Sequence, residues 1–526
     1  MTPFNAGAHI PAKDAWTRSM RRRAADRDAC AWPMPSFEAR SSEADRHQVI
    51  IVGAGIGGLT AGALLAKRGV KVLLVESHNR PGGYCSCWTR TSARGGSFRF
   101  DAGVQDFSGL GERGPIRHLL RALDVEQRIE WRRVRHFYKK DGLGFQVPDD
   151  PAEMVEALGA LFPAERAGIA AFLHEMAAVY RDLYADIEMT GGVPMPPATL
   201  EGMLIWPSTH PHAWRWMKRP FTEMLDTFLV DPRLKDLLTT VADYITDRPD
   251  TLSVADMAPL FGYYFDGGAY PIGGSQRLAD LLSAVIEEHG GQVLLRTRIK
   301  RILVENGRVA GVESAIGKVH RAPIVVANGD VVSMLTDLVG ETHLTARYLE
   351  KLRAMRRGPS AILLSLGLDR VPDLPARIFV RQDGLVFGIG NPSVIDPTLA
   401  PPGCAAVTLL CLLSDEAASA WRRKDAGYRD DKDRFADRLI AATEASVLPD
   451  LKRSIIHREV ASPPTFTLFA KTRNGNIYGA ARDQWHPRIK SPVPGLLLVG
   501  AGTSTGPGIE AVVVSGTAAA NLVTAS

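Results

Sequence analysis

Several features that would classify a chain quickly are missing from this one. No window holds about 18 consecutive uncharged apolar residues, the length a helix needs to cross a bilayer. The late run around Leu496–Ile509 is uncharged but broken by glycine and proline. Neither sign of charge is in excess: 63 basic residues against 58 acidic ones leave +5, and no basic block exceeds Arg21-Arg22-Arg23. Nucleic acid is therefore not an expected partner. Cysteine is scarce, five in 526 residues, and an odd number in a long chain speaks for a reducing compartment without a disulfide framework. Cys85-Ser86-Cys87 is the only close pair, its spacing is wrong for a redox C-x-x-C, and no histidine or cysteine pair completes a zinc site, so packing roles are expected. No apolar stretch follows Arg21–Arg23, so no secretory leader is expected, and the protein should be cytoplasmic or attached to a membrane from that side. Internal repeats and low-complexity tracts are also missing. What remains, 45% hydrophobic and 23% charged, is an ordinary globular composition with length for two or three domains.

The informative stretch is 49–83. Val49-Ile50-Ile51-Val52 reads as a buried parallel strand. Gly53-Ala54-Gly55-Ile56-Gly57-Gly58 follows and satisfies G-x-G-x-x-G. Leu59–Arg68 continues as an Ala/Leu-rich helix, and Val70–Val75 is a second apolar strand closed by Glu76. The three glycines of the pattern differ in what they allow. Gly53 permits the tight turn, Gly55 lets a pyrophosphate approach the backbone, and Gly58 allows close helix–strand packing. The phosphates then meet free amides at the positive end of the helix. Glu76 is placed to accept hydrogen bonds from an adenosine ribose, and its charge disfavours a 2′-phosphate there. Gly109–Gly114 matches the same spacing, but polar turn residues precede it, so a surface turn is expected.

Ser77–Tyr84 reads SHNRPGGY. Its arginine-x-glycine-glycine segment, with Gly82 and Gly83, resembles the second signature of the FAD-binding glutathione-reductase-like superfamily, and this resemblance supplies FAD as the cofactor.

Residues 1–47 are polar, Arg-rich and aperiodic, as expected of a disordered tail in which Met34 could be the true start. The spacing predicts helices over Ile116–Leu123, Pro151–Leu161, Ala164–Met189 and Arg219–Asp247, and an amphipathic helix over Gln276–His289. Strands are expected at Gln292–Val304, Arg308–Ser314, Ile324–Ala327, Ala361–Leu368, Ala405–Leu413 and Leu496–Val499. The last leads into Gly500-Ala501-Gly502-Thr503 and a small-residue helix, Gly508–Val523. The nucleotide domain thus comes in three pieces, 48–115, 264–330 and 476–526. A substrate domain is assembled from 116–263 and 331–475.

Three separated segments, GAGIGGLTAGALLAKRG with RPGGY, GGAYPIGGSQRLADLL, and GLLLVGAGTSTGPGIEAVVVSG, resemble the carotenoid desaturase family, which includes phytoene desaturases, carotenoid isomerases and retinol saturases. The resemblance runs from about 48 onward. It implies an α/β fold: a glutathione-reductase-like FAD-binding Rossmann domain with an interleaved mixed α+β substrate domain. It places the backbone of Gly500 and Ala501 near the pyrophosphate and ribityl chain. Gly508-Ile509 then sits at a helix start facing the flavin pyrimidine, and the backbone of Ile299 lies beside the adenine. The chain departs from the bacterial desaturase pattern at Ser504-Thr505, where His-Pro usually stands.

The implied activity is FAD-dependent oxidoreduction of a lipophilic, long isoprenoid polyene, with desaturation of a carotenoid precursor leading. Cis-trans isomerisation and a retinol-saturase-like reduction use the same scaffold. An FAD amine oxidase and a non-catalytic prenyl-binding escort are the readings from other classes. Only one glycine motif follows a strand and opens a helix, so no separate NAD(P)H domain is expected, and a desaturase would pass electrons to oxygen or a membrane quinone. Asp101, by resemblance, lies near the flavin or merely caps a turn. Lys471 and Tyr478 face the flavin ring or are ordinary surface and core residues. Trp206–Phe221, with three tryptophans among Arg215, Lys218 and Arg219, suits either a peripheral bilayer interface or the substrate-domain core.

Overall fold

The structure is a computed structural model that describes residues 47–92, 96–194 and 200–525. The expected tail, with Arg21–Arg23 and Met34, lies outside the described residues apart from His47.

Four apolar residues in a row at Val49–Val52 have no polar face to offer water, and the fold covers both sides of them. β1 (Val49–Val52) pairs in parallel with β2 (Val72–Val75) on one side and β13 (Ile324–Asn328) on the other. β9 (Gln292–Leu294) and β19 (Leu496–Val499) complete a parallel sheet in the order β19-β13-β1-β2-β9. Side chains alternate along β1. Val49 and Ile51 face the helices Ile56–Lys67, Pro115–Ala122, Gln276–Glu288 and Ile509–Thr524. Ile50 and Val52 face an antiparallel meander of β10 (Ile299–Glu305), β11 (Arg308–Ser314) and β12 (Val319–Arg321). These are the three layers of a Rossmann-type α/β domain. At about 1.5–3 kcal/mol for each fully buried branched side chain, the two faces are what hold this sheet together.

The helix Ile56–Lys67 is buried from Ile56 to Ala66, which suits a helix apolar on every side. Its glycines and alanines let the closing helix Ile509–Thr524 lie directly against it. A Cβ on Gly516 would stand 2.3 Å from the carbonyl oxygen of Gly57 and 2.8 Å from the Cβ of Thr60.

The other large sheet has seven strands, in the order β18-β14-β17-β16-β15-β6-β7. β6 (His136–Lys140) and β7 (Leu143–Gln146) come from the first excursion of the chain. β14 (Ser360–Leu368), β15 (Arg377–Gln382), β16 (Leu385–Gly390), β17 (Ala405–Leu413) and β18 (Ile455–Ala461) come from the second. The two excursions join through the parallel pair β6–β15. All nine residues of β14 are buried. Ile362, Leu364, Leu366 and Leu368 pack with Leu439 and Ile440 of the helix Tyr428–Ser446, and Ala361 and Leu363 face the opposite way, toward Phe466. Two further antiparallel pairs, β3 (Cys87–Thr91) with β4 (Ser97–Asp101) and β5 (Trp131–Val134) with β8 (Gly268–Pro271), join the layers.

Ile116, Leu119 and Leu120 pack in one cluster with Leu59 and Val513. Val331, Leu335, Leu352 and Met355 likewise remain with the nucleotide sheet. The helix expected over Arg219–Asp247 is divided into Phe221–Phe228, Pro232–Leu238 and a 3-10 turn, Thr240–Tyr244. Pro232 has no N–H to continue the first piece, and Asp231 caps the second by accepting from the Arg233 amide. Gly109–Gly114 follows no strand; it wraps the start of the helix Pro115–Ala122, where the Ile116 amide donates to the Gly109 carbonyl.

The tryptophan segment belongs largely to the core. Trp216 is fully buried and donates its indole N–H to Glu175 at 2.8 Å, with Arg215 and Arg219 over its ring. Trp206 is 5% exposed and stacks on His210, and only Trp214, at 57%, reaches solvent. Among the described residues no helix is long and apolar enough to cross a membrane.

The helix contact at Gly516 sets a test of this packing. Gly516→Val should cost about 1–3 kcal/mol by overpacking, read as a lower urea midpoint, because backbone and not a flexible side chain blocks the new methyl groups.

Candidate functional site

β1 and β19 flank β13, so their glycine turns emerge side by side at the carboxyl edge of the sheet. Gly53 has φ +100° and Gly500 φ +99°, a region open to glycine and strained for other residues. A Cβ on Gly53 would stand 2.1 Å from the Asn328 carbonyl oxygen, and one on Gly58 2.4 Å from the Gly53 oxygen. Asn328 ends β13 between the two turns and donates from Nδ2 to the Gly53 carbonyl at 3.1 Å. The second turn is held from beneath: the Gly500 amide donates to Ser515 Oγ, and Thr503 Oγ1 donates to the Gly500 carbonyl.

Two helices begin here, one after Gly55 and one after Gly508, and neither first turn has a side-chain cap. Their free amides and positive ends are therefore available to an anionic group. Glu76, at the end of β2, is held by the amides of Ala54 at 2.8 Å and His78 at 2.7 Å. Carboxylate oxygens each offer two lone pairs, so acceptor capacity remains for a ribose hydroxyl. Gly82 donates to the Ala54 carbonyl at 2.7 Å, and Gly83 lies against Gly55, which lays the Arg80–Gly83 segment along the first turn. The Thr297 amide donates to the Glu76 carbonyl, bringing Ile299 to the same edge.

These parts surround one cavity of about 910 Å³, toward the upper end of the roughly 300–1,000 Å³ typical of ligand clefts. Gly53, Gly55, Ile56, Gly57, Glu76, Gly82, Gly83, Ile299, Gly500, Ala501, Gly508 and Ile509 all border it. Ala54 and Gly58 do not: Ala54 serves through its backbone bonds, and Gly58 lies beneath the turn. The opposite wall is mainly apolar, with Leu363, Leu410, Ile477, Phe466 and the Tyr478 ring.

The remaining candidates separate. Asp101 does not reach the cavity; it accepts from Tyr270 at 2.5 Å, the Ser275 amide at 2.9 Å and Cys87 Sγ at 3.0 Å, tying β4 to the start of the helix Gln276–Glu288. Lys471 lies at the cavity rim, exposed, with φ +58°, closing the helix Pro463–Ala470 and donating to the Leu468 carbonyl. Tyr478 is on the wall, its hydroxyl directed to the Asp243 carbonyl at 3.3 Å. Cys85 and Cys87 border the cavity as thiols, since burial pushes both well above the ordinary thiol range.

Asn328 is the residue that sequence reasoning missed. Its signal is slight: a polar side chain ending the apolar run IVVA, just before Gly329-Asp330. Asp330 and Arg473, paired at 2.9 Å on the cavity border, were also missed, and nothing in their spacing connects them.

Residues 51–123 match the NAD(P)-binding Rossmann-like domain family. The chain is 25% identical to prolycopene isomerase 1, chloroplastic, of an Oncidium hybrid cultivar, over 93% of this chain and 86% of that one. It is 26% identical to the lycopene-forming phytoene desaturase of a Paracoccus species, over 90% and 96%. It is 24% identical to the all-trans-retinol 13,14-reductase of Danio rerio, over 84% and 78%. Among solved structures it resembles an oxidoreductase from Methanosarcina mazei, with TM-score 0.63, 18% identity and coverage of 90% and 99%. It also resembles putrescine oxidase bound to putrescine, with TM-score 0.61, 15% identity and coverage of 91% and 99%. These structures agree with the present one in fold.

Behind the Tyr478 wall, burial pushes the Asp243 carboxyl up to about 6, although Lys140 and Arg377 pull the other way. The folded value lies above the unfolded one, so the folded state holds the proton more tightly. The stability this confers is complete below the unfolded value and is lost as pH rises through about 6. Asp243→Asn should therefore be more stable than the parent protein above pH 6, with the two converging as pH falls toward 4, in urea melts taken across that range.

Proposed function

We propose that this chain, an oxidoreductase of the carotenoid desaturase family, binds FAD and acts on a long isoprenoid polyene, with desaturation of a carotenoid precursor as the leading reaction. The observation that carries the proposal is the cavity that joins a dinucleotide cradle to an apolar sheet face. Bound FAD supplies a hydride acceptor for a chain that has no acidic proton to give up.

The protein's own part is binding and orientation. The amides after Gly55 and the turn at Gly500-Ala501 would meet the pyrophosphate, with no side chain at Gly53 or Gly500 to hold it off. Glu76 would accept from the adenosine ribose. The backbone at Ile299 would lie by the adenine. The helix start at Gly508-Ile509 would put its positive end against the flavin pyrimidine, where it favours negative charge. Leu363, Leu410 and Phe466 would exclude water and take the apolar chain. Oxygen or a quinone would serve as the final electron acceptor.

Two outcomes are expected. Gly55→Val should abolish FAD retention, read from the flavin absorbance of purified protein, because its side chain would project into the pyrophosphate path and toward Asn328, 2.7 Å from the new Cβ. Expression in hosts that accumulate phytoene or lycopene should change their pigment profiles by chromatography; unchanged profiles in every host would remove the carotenoid reading.

A further inference from the structure

One row of residues crosses six strands of the seven-stranded sheet in register and is polar except at Gly390. His136 of β6 pairs with Arg377 of β15, and Arg377 with Gly390 of β16. Gly390 pairs with Thr408 of β17, Thr408 with Ser365 of β14, and Ser365 with Glu459 of β18. Residues paired directly across a ladder point to the same face, so this row shares its face with Leu363 and Leu410, and its Ser365 and Glu459 border the cavity. Two residues along, the same face carries Leu363, Leu410 and Ala461 on one side and Gly367, Ala406 and His457 on the other. The row therefore marks a polar band on a mainly apolar wall.

Nearly every member of the band is occupied. His136 meets Asp106 at 2.6 Å. Arg377 is held by Gln105 and by the Tyr244 hydroxyl. Thr408 accepts from Gln105 at 2.9 Å. The missing side chain of Gly390 makes that contact possible, since a Cβ there would stand 2.8 Å from Thr408 Oγ1. Glu459, at the cavity border, accepts from Trp88 Nε1 at 3.1 Å and from Arg90. Ser365 is the exception. It is 1% exposed and borders the cavity, and its hydroxyl has no hydrogen-bond partner among the described residues. The hydroxyl opens onto the cavity, where a ligand oxygen can make the hydrogen bond that the protein leaves unmade.

We infer that Ser365 is a specificity-determining residue that holds an oxygen function, alcohol or carbonyl, on the isoprenoid substrate. The cavity would accept the apolar chain along Leu363, Leu410 and Phe466 and fix its register where the oxygen meets the polar band. A pure hydrocarbon would bind the same wall without that hydrogen bond, so of two polyenes alike in length the oxygenated one binds more tightly. This rests on the isoprenoid reading of the cavity given above.

The test uses flavin-loaded protein and two probes, all-trans-retinol and the same polyene lacking the hydroxyl, with dissociation constants from quenching of protein fluorescence. Retinol should bind roughly five- to ten-fold more tightly than the hydrocarbon, the ordinary net worth of one hydrogen bond. Ser365→Ala should weaken retinol to the level of the hydrocarbon while hydrocarbon affinity and flavin content stay unchanged. Equal binding of both probes to the parent protein would overturn the subsite alone. Loss of flavin in the variant would overturn it by assigning Ser365 to the cofactor. Failure of both probes to bind at all would overturn the isoprenoid reading and this inference with it.

Discussion

Everything in the cofactor half of the molecule depends on how closely backbone can approach backbone at the end of β13. Gly53 and Gly58 stand where an added Cβ would lie within 2.5 Å of a main-chain oxygen. Asn328 is wedged among them and also lies against the positions a side chain would take on Gly55 and Gly500. This close approach aligns two helix starts on one point and leaves their amides uncovered.

The opposite wall is built on another principle. The second excursion supplies five adjacent strands and the first only two, and they reach seven by pairing β6 with β15. Helices cover the far face through Leu439 and Ile440, while the near face stays open to the cavity. The aromatic cluster of Phe172, Phe221 and Phe261, with ring centroids 5.6 to 6.2 Å apart, lies in the buried core of the first excursion. The cavity is thus a seam between two independently stabilised layers.

The cradle was largely legible in the sequence because its requirements are local. Positive φ and close approach demand glycine, and a parallel strand covered on both faces demands an unbroken apolar run, as in Val49–Val52 and Leu496–Val499. Asn328 was not legible, because asparagine carries no single structural meaning and its role depends on strands nearly three hundred residues apart. The packing of Ile116 and Leu120 against the nucleotide layer was hidden for a similar reason: amphipathic spacing shows that a helix buries a face, not against which sheet. The tryptophans of the 206–221 segment could satisfy an indole N–H either at a lipid headgroup or, as Trp216 does with Glu175, inside a core. The polar row through Ser365 exists only in the register of six strands, which no periodicity in one strand reveals.

The order of the parallel sheet also bears on synthesis. β19 and the helix after Gly508 supply one side of the cradle, yet they come from residues 496–524, while the first turn comes from 53–58. A chain emerging from the ribosome therefore carries a half-built nucleotide site through both excursions. Its edge at β13 waits for the partner strand, with the backbone N–H and C=O groups along that edge unpaired meanwhile. Cofactor capture is in this way a late event, and the nascent polypeptide must be kept from aggregating until β19 is in place.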